Sequence, residues 1–223
     1  MKNKVTKTMI AGILAGGVFT ASFSNTSAAT FTDVSDRYIE AVTYLHNNHI
    51  VSGLSETKFG VQEPIKRVDS AIMIAKIRNL IPEQAAKTSK FTDVPTRGIP
   101  AVEVLRSLGI INGKTTSLFG ANDTLTRGEA ALILVNAYDL SPVNESTTKF
   151  SDVSPRYLSA VNTLVANGIS NGKTKTKFGT ADQLTRGELA IMLYNLEKLK
   201  REDGGNSNTP DDQAPEVEDI IVN

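Results

Sequence analysis

The chain has no cysteine, no tryptophan and only two histidines. Without cysteine, no disulfide and no thiolate metal site can staple the fold, which has to rest on an apolar core. The histidines, His46 and His49, stand three apart on one predicted helix and have no thiolate or carboxylate set beside them. That falls short of a metal ligand set, and no cofactor is expected. Net charge is also lacking, with 24 basic residues against 24 acidic. A balanced chain has no cationic surplus to track a phosphate backbone, so nucleic acid is excluded as a partner. GxSxG, HExxH and glycine-rich phosphate loops are missing, and the chain is read as no enzyme. After residue 29 no apolar run approaches the roughly 20 residues a membrane span needs, so no membrane contact is expected after export.

What is present begins with an address. Lys2, Lys4 and Lys7 precede an apolar stretch, Met9 to Phe23, and small residues at Ser27-Ala28-Ala29. This is the layout of a secretory signal peptide spanning 1–29. The opposite end, 200–223, is acidic and punctuated by proline and glycine, with two basic and seven acidic residues. It is predicted to be a disordered tail. Between the two, nineteen basic residues face seventeen acidic ones.

That middle region repeats itself three times. Phe31, Phe59 and Arg67 return as Phe91, Phe119 and Arg127, and again as Phe150, Phe178 and Arg186, at offsets of 60 and then 59. Constant spacing at three landmarks identifies an array, with repeats at 30–89, 90–148 and 149–199. Each copy opens FTDV or FSDV and continues into an amphipathic helix, marked by Ala101, Val102, Leu105 and Leu108 in the second. That helix ends near His49, Gly109 or Gly168, where glycine suits a left-handed cap and histidine suits it less. A turn-rich loop follows, holding one lone phenylalanine that plugs the gap between helices. The second helix starts at TRGE, where Thr126 with Glu129 and Thr185 with Glu188 form capping boxes. It is apolar nearly all round and therefore buried. Three such helices predict a mostly α fold of helix-loop-helix repeats around a central three-helix bundle. One repeat cannot bury its own apolar helix, so the three form one cooperative unit.

Arg67, Arg127 and Arg186 are not required by the cap. Arg67 persists where KRVD breaks the box, with Lys66 in place of threonine and Asp69 in place of glutamate. Two readings stay open. The arginine braces a loop carbonyl or pairs with the FTDV aspartate; or, beside free amides at a helix N-terminus, it receives a carboxylate or phosphate, with Lys66 a second cation in the first copy.

FxDV, an amphipathic helix, (N/S)G, a lone phenylalanine and TRGE together resemble the S-layer homology domain, over residues 31 to about 198. The resemblance implies a pseudo-threefold arrangement and anchoring of exported proteins to the cell wall. The implied partner is a secondary cell wall polysaccharide, usually carrying pyruvate ketals, held in grooves between repeats. It marks Arg67, Arg127 and Arg186 as glycan-binding, with Asp33, Asp93, Asp152, Gly53, Gly113 and Gly172 as further candidates; turn capping is the slightly favoured role for the aspartates. The alternative is a structural surface-layer subunit that associates mainly with other surface proteins. Two departures stand out. The family's tryptophan after FxDV is replaced by Tyr38, Gly98 and Tyr157, and KRVD replaces TRGE in the first copy, so the three grooves are not expected to be equivalent.

Overall fold

A computed structural model describes residues 31–205. The expected signal peptide and residues 206–223 of the tail lie outside the described residues. Within them are six α-helices: α1 (Asp36–Asn47), α2 (Arg67–Ile77), α3 (Ile99–Ser107), α4 (Arg127–Tyr138), α5 (Leu158–Ala166) and α6 (Arg186–Gly205). The chain is mostly helical, as its periodicity indicates, and β pairing among the described residues is confined to isolated bridges.

The first helix of each repeat buries one stripe: Tyr38, Ala41, Val42 and Leu45 in α1, Ala101, Val102 and Leu105 in α3, Ala160, Val161 and Leu164 in α5. Each ends at a left-handed residue, His49 (φ 57°), Gly109 (φ 71°) or Gly168 (φ 67°). The following amide then turns back to the helix, Ile50 N–H to the Leu45 carbonyl and Ile110 N–H to that of Leu105, both at 2.9 Å. This is a Schellman-type stop. It corrects the placement of the histidines: α1 ends at Asn47, so His49 does not share a helical face with His46. Among the described residues no three histidine, cysteine or acidic side chains gather as a metal site.

Helix pairing runs between repeats. α2 packs on α3, α4 on α5, and α6 closes the circuit on α1. At the N-terminal ends of the second helices, Ile65, Leu125 and Leu184 form a ring of backbone hydrogen bonds. Ile65 N–H donates to Leu184, Leu184 to Leu125, and Leu125 to Ile65, each at 2.9 Å. The far ends are joined by side chains at equivalent positions, eleven residues past each motif arginine. Arg78 Nε donates to the Ala137 carbonyl (2.9 Å) and its guanidinium lies 4.6 Å from the Tyr138 ring centre; Tyr138 Oη donates to Glu197 Oε1 at 2.7 Å. Burial first, and then Glu197, raise the tyrosine pKa far above its ordinary value, so Tyr138 remains the donor. One apolar cluster runs from Phe31 to Leu196 through all three repeats. α6 continues to Gly205, past the expected start of the tail at 200, and Arg201 lies over Tyr44 of α1 at 5.1 Å.

Candidate functional site

The loop between the two helices of a repeat is built around its aspartate. Asp33 accepts from the amides of Phe59 (2.8 Å) and Gly60 (2.7 Å) and, at 3.3 Å, Val61; Asp93 and Asp152 do the same for Phe119–Ala121 and Phe178–Thr180. Burial works against these charges, but the three amides outweigh it and hold each carboxyl below its ordinary value. Gly53, Gly113 and Gly172 are needed for space: a Cβ there would strike the ring of Phe31, Phe91 or Phe150 and a carbonyl of the same loop. The lone Phe59, Phe119 and Phe178 are at most 1% exposed and face those rings at 5.6–5.7 Å.

Each motif arginine lies across the neighbouring repeat's loop. Arg67 donates through Nε to the Phe119 carbonyl and through Nη2 to that of Asn112, both at 3.1 Å, with its guanidinium 4.7 Å from the Phe119 ring centre. Arg186 treats Phe59 and Ser52 in the same way, at 3.0 and 2.5 Å. Arg127 reaches Ser170 Oγ (2.6 Å) and the Asn171 carbonyl (2.7 Å), leaving its Nε buried without a partner among the described residues. All three are 6–9% exposed. Burial lowers their pKa values, and nearby carboxylates, Glu129 for Arg67, Glu188 for Arg127 and Asp69 for Arg186, offset part of that. An arginine so placed remains a cation.

The helix N-termini are not free. The first two amides of α2, Arg67 and Val68, donate to the Asp123 and Ala121 carbonyls; those of α4 donate to Asp182 and Thr180, those of α6 to Glu63 and Val61. The premise of open amides waiting for an anion is thus corrected. These donors fasten one repeat to the next. Both capping boxes form: Thr126 with Glu129 at 3.0 and 3.3 Å, Thr185 with Glu188 at 3.0 and 3.2 Å. Lys66 is exposed, and its Nζ donates to Asn122 Oδ1 at 3.4 Å.

Two open grooves border the arginines. One, of about 720 Å³, has Arg127, Lys173, Glu188 and Arg37 in its lining; the other, of about 500 Å³, has Arg67, Lys114, Glu129 and Arg156. Every groove draws on all three repeats. In the larger, Arg127 comes from the second, the loop and Glu188 from the third, and Arg37 from the first. Arg37, Arg97 and Arg156 each stand six residues after Phe31, Phe91 or Phe150, and Lys114 and Lys173 directly follow Gly113 and Gly172. The equal spacing was visible in the sequence, but only the cyclic packing shows that these cations face the motif arginine of another repeat.

The set around Arg186 is different. Leu54 replaces the lysine, Asp69 replaces the glutamate, and Arg97 Nη1 sits 2.5 Å from Asp69 Oδ1. Glu129 and Glu188 are long enough to reach back to the cap amide, whereas Asp69, one methylene shorter, makes no such bond. Arg37 and Arg156 instead lie over their neighbouring tyrosines, Tyr38 (5.4 Å) and Tyr157 (5.3 Å). Arg97 is followed by Gly98. The missing tyrosine has a steric cause. Tyr38 packs on Gly187 and Tyr157 on Gly128, the glycines of TRGE, whereas in KRVD that glycine is Val68, and any Cβ at Gly98 would collide with its Cγ2. Gly98 in place of an aromatic residue and Val68 in place of glycine are thus one exchange of volume across a single contact.

Three helix-loop-helix repeats thus form a closed circuit, each reaching into the next through an arginine at a helix start. The S-layer homology domain model matches at residues 30–69, 90–131 and 149–190, and the chain belongs to that family. It is a cell-wall-associated surface protein. Similar proteins include the exoglucanase XynX of Acetivibrio thermocellus, 28% identical over 76% of this chain and 16% of its own length. Others are the amylopullulanase of Thermoanaerobacterium thermosulfurigenes (28%; 75% and 9%) and an S-layer protein of Bacillus thuringiensis subsp. finitimus (30%; 86% and 24%). The chain spans a quarter or less of the length of these relatives. None of the described helices is long and apolar enough to cross a membrane.

Proposed function

We propose that the chain holds itself non-covalently to the cell wall by binding an acidic secondary cell wall polysaccharide in the grooves between its repeats, the carboxylate of a pyruvate ketal being the group recognised. One observation carries this reading: at Arg127 and at Arg67, three cations from three different repeats converge on a single open groove. The buried arginine is fixed by its hydrogen bonds. The lysine and the second arginine are exposed and suited to a planar, singly charged anion. Asp33, Asp93, Asp152, Gly53, Gly113 and Gly172 support the loops that line the grooves, and Lys66 adds positive charge nearby. More than one groove gives avidity on a wall that presents many chains, even where each contact is weak.

Support for the second reading, a structural subunit held by protein–protein contacts, comes from the motif arginines, which are buried and brace the neighbouring loop through its carbonyls and the Ser170 hydroxyl. Purified chain mixed with cell walls, before and after chemical removal of the non-peptidoglycan polysaccharide, separates the two. Pelleting that disappears with the polysaccharide is expected. Equal pelleting with stripped walls would point to peptidoglycan, and concentration-dependent self-assembly without any wall would favour the structural subunit. The exposed double variant Arg37→Ala, Arg156→Ala should fold normally and lose most of its wall binding.

A further inference from the structure

We infer that only two of the three inter-repeat grooves take an anion, and that the third is closed by the protein's own Arg97–Asp69 pair. The inference rests on the reading of these grooves as carboxylate sites and assigns the working ones to Arg127 with Arg37 and Arg67 with Arg156. Arg37 and Arg156 are the closing cations of those two sites, each supplied by the repeat that contributes neither the motif arginine nor the loop.

The set around Arg186 lacks the loop lysine, although exposed Lys76 stands where the two grooves have Asn136 and Asn195. Where Lys114 and Lys173 stand, Leu54 is 60% exposed and carries no charge. Arg97 is present, but its Nη1 is paired with Asp69 at 2.5 Å, whereas in the other two grooves the ion pairs are made by the lysines, Lys114 with Asp123 and Lys173 with Asp182, and the arginine is left over. An incoming carboxylate there competes with the charge of Asp69. The motif arginine there, Arg186, has its Nε and Nη2 committed to the Phe59 and Ser52 carbonyls, as Arg67 has to those of Phe119 and Asn112. By contrast, Arg37 and Arg156 form no ion pair among the described residues, because Glu188 and Glu129 are turned back onto their own helix caps. Arg127 goes further, with its buried Nε unpartnered beside the larger groove. Part of the difference traces to one contact: valine at position 68 excludes a tyrosine at 98, and without that ring Arg97 has no aromatic platform to lie on.

The test uses the whole chain and a soluble probe, a methyl hexopyranoside carrying a 4,6-linked pyruvate ketal. Titration calorimetry gives the number of sites. Guanidinium ¹⁵N–¹H spectra, with arginine signals assigned by substitution, show which ones respond even at millimolar affinity. Two sites are expected, with Arg37 and Arg156 shifting and Arg97 unmoved. The double variant Leu54→Lys, Asp69→Asn, which frees Arg97 and restores the missing lysine, should bind a third equivalent and bring the Arg97 signal into the titration. Three sites in the unaltered chain would overturn the inference while leaving the carboxylate reading intact. One site, or a response of Arg97 in the unaltered chain, would also overturn it. No response from any arginine would remove the carboxylate reading and this inference with it.

Discussion

The groove at Arg127 and the set of residues around Arg186 descend from the same motif and diverge at several positions. Lys173 against Leu54, Glu188 against Asp69, Tyr38 against Gly98, and Gly187 against Val68 separate them. In the first, each acidic residue has an internal hydrogen-bond partner, and the exposed arginine is left over. In the second, a carboxylate one methylene too short to reach its cap amide captures the arginine instead. The lesson is that a site can be switched off without losing its most conspicuous residue. Arg186 is as buried and as well bonded as Arg67, and everything that distinguishes the two settings lies in the residues around them.

The comparison breaks most visibly at the tyrosine–glycine exchange. Gly98→Tyr alone drives a ring into Val68 and should cost about 3 kcal/mol, the upper range for an overpacked core, in urea unfolding. Adding Val68→Gly should return most of that loss, less about 1 kcal/mol for glycine within a helix. A double variant no more stable than the single would show that the two positions do not compensate. Next in size is the arginine brace. Arg186→Lys leaves one point donor for two carbonyls and should cost about 1.5–3 kcal/mol, as for hydrogen bonds to a charged group. Arg127→Lys, starting from a side chain whose Nε already lacks a partner, should cost less; equal losses would mean that Nε has no bearing on the brace. Smaller again is the helix stop. His49→Gly should stabilise by about 1 kcal/mol, because at the stop of the first helix only the first repeat places a side chain in the left-handed region. Gly168→Ala should destabilise by a similar amount.

Acidification should not distinguish the grooves. Asp33, Asp93 and Asp152 all have folded pKa values below their unfolded value of about 3.9. The stability they contribute is therefore complete above that value and is lost as pH falls through the lower folded ones. Unfolding free energy followed from pH 7 to pH 2.5 should fall at the acid end, and Asp33→Asn, Asp93→Asn or Asp152→Asn should each flatten the fall equally. An unequal response would mean that one turn differs in a way its hydrogen bonds do not reveal.

Much of this was legible in the residues. Helix existence, the two capping boxes, the broken box at Lys66 and the uncomfortable His49 all follow from local chemistry, because caps and stops are decided within four or five residues. The grooves were less accessible. Arg67, Arg127 and Arg186 stood out by repetition, yet repetition cannot say whether a cation is a brace or a ligand, since both need it in every copy. Arg37, Arg97 and Arg156 recur at equal spacing too, and only the packing of α6 on α1 reveals which groove each of them faces. The exchange between Gly98 and Val68 was hidden for the same reason, its halves being thirty residues apart and assigned to different repeats. The free helix amides were misread because an isolated repeat has them, and the assembled ring does not.

The ring also governs the order of events in time. The bonds that complete the first repeat's loop, from Arg186 to Phe59 and Ser52, span 127 and 134 residues. The main packing partner of α1 is α6. A chain emerging from its N-terminus therefore cannot settle into final form one repeat after another, as an open solenoid can, because its first segment waits for its last. Contacts of such long sequence separation slow folding. The first repeat therefore reaches its final form only when the whole array is present.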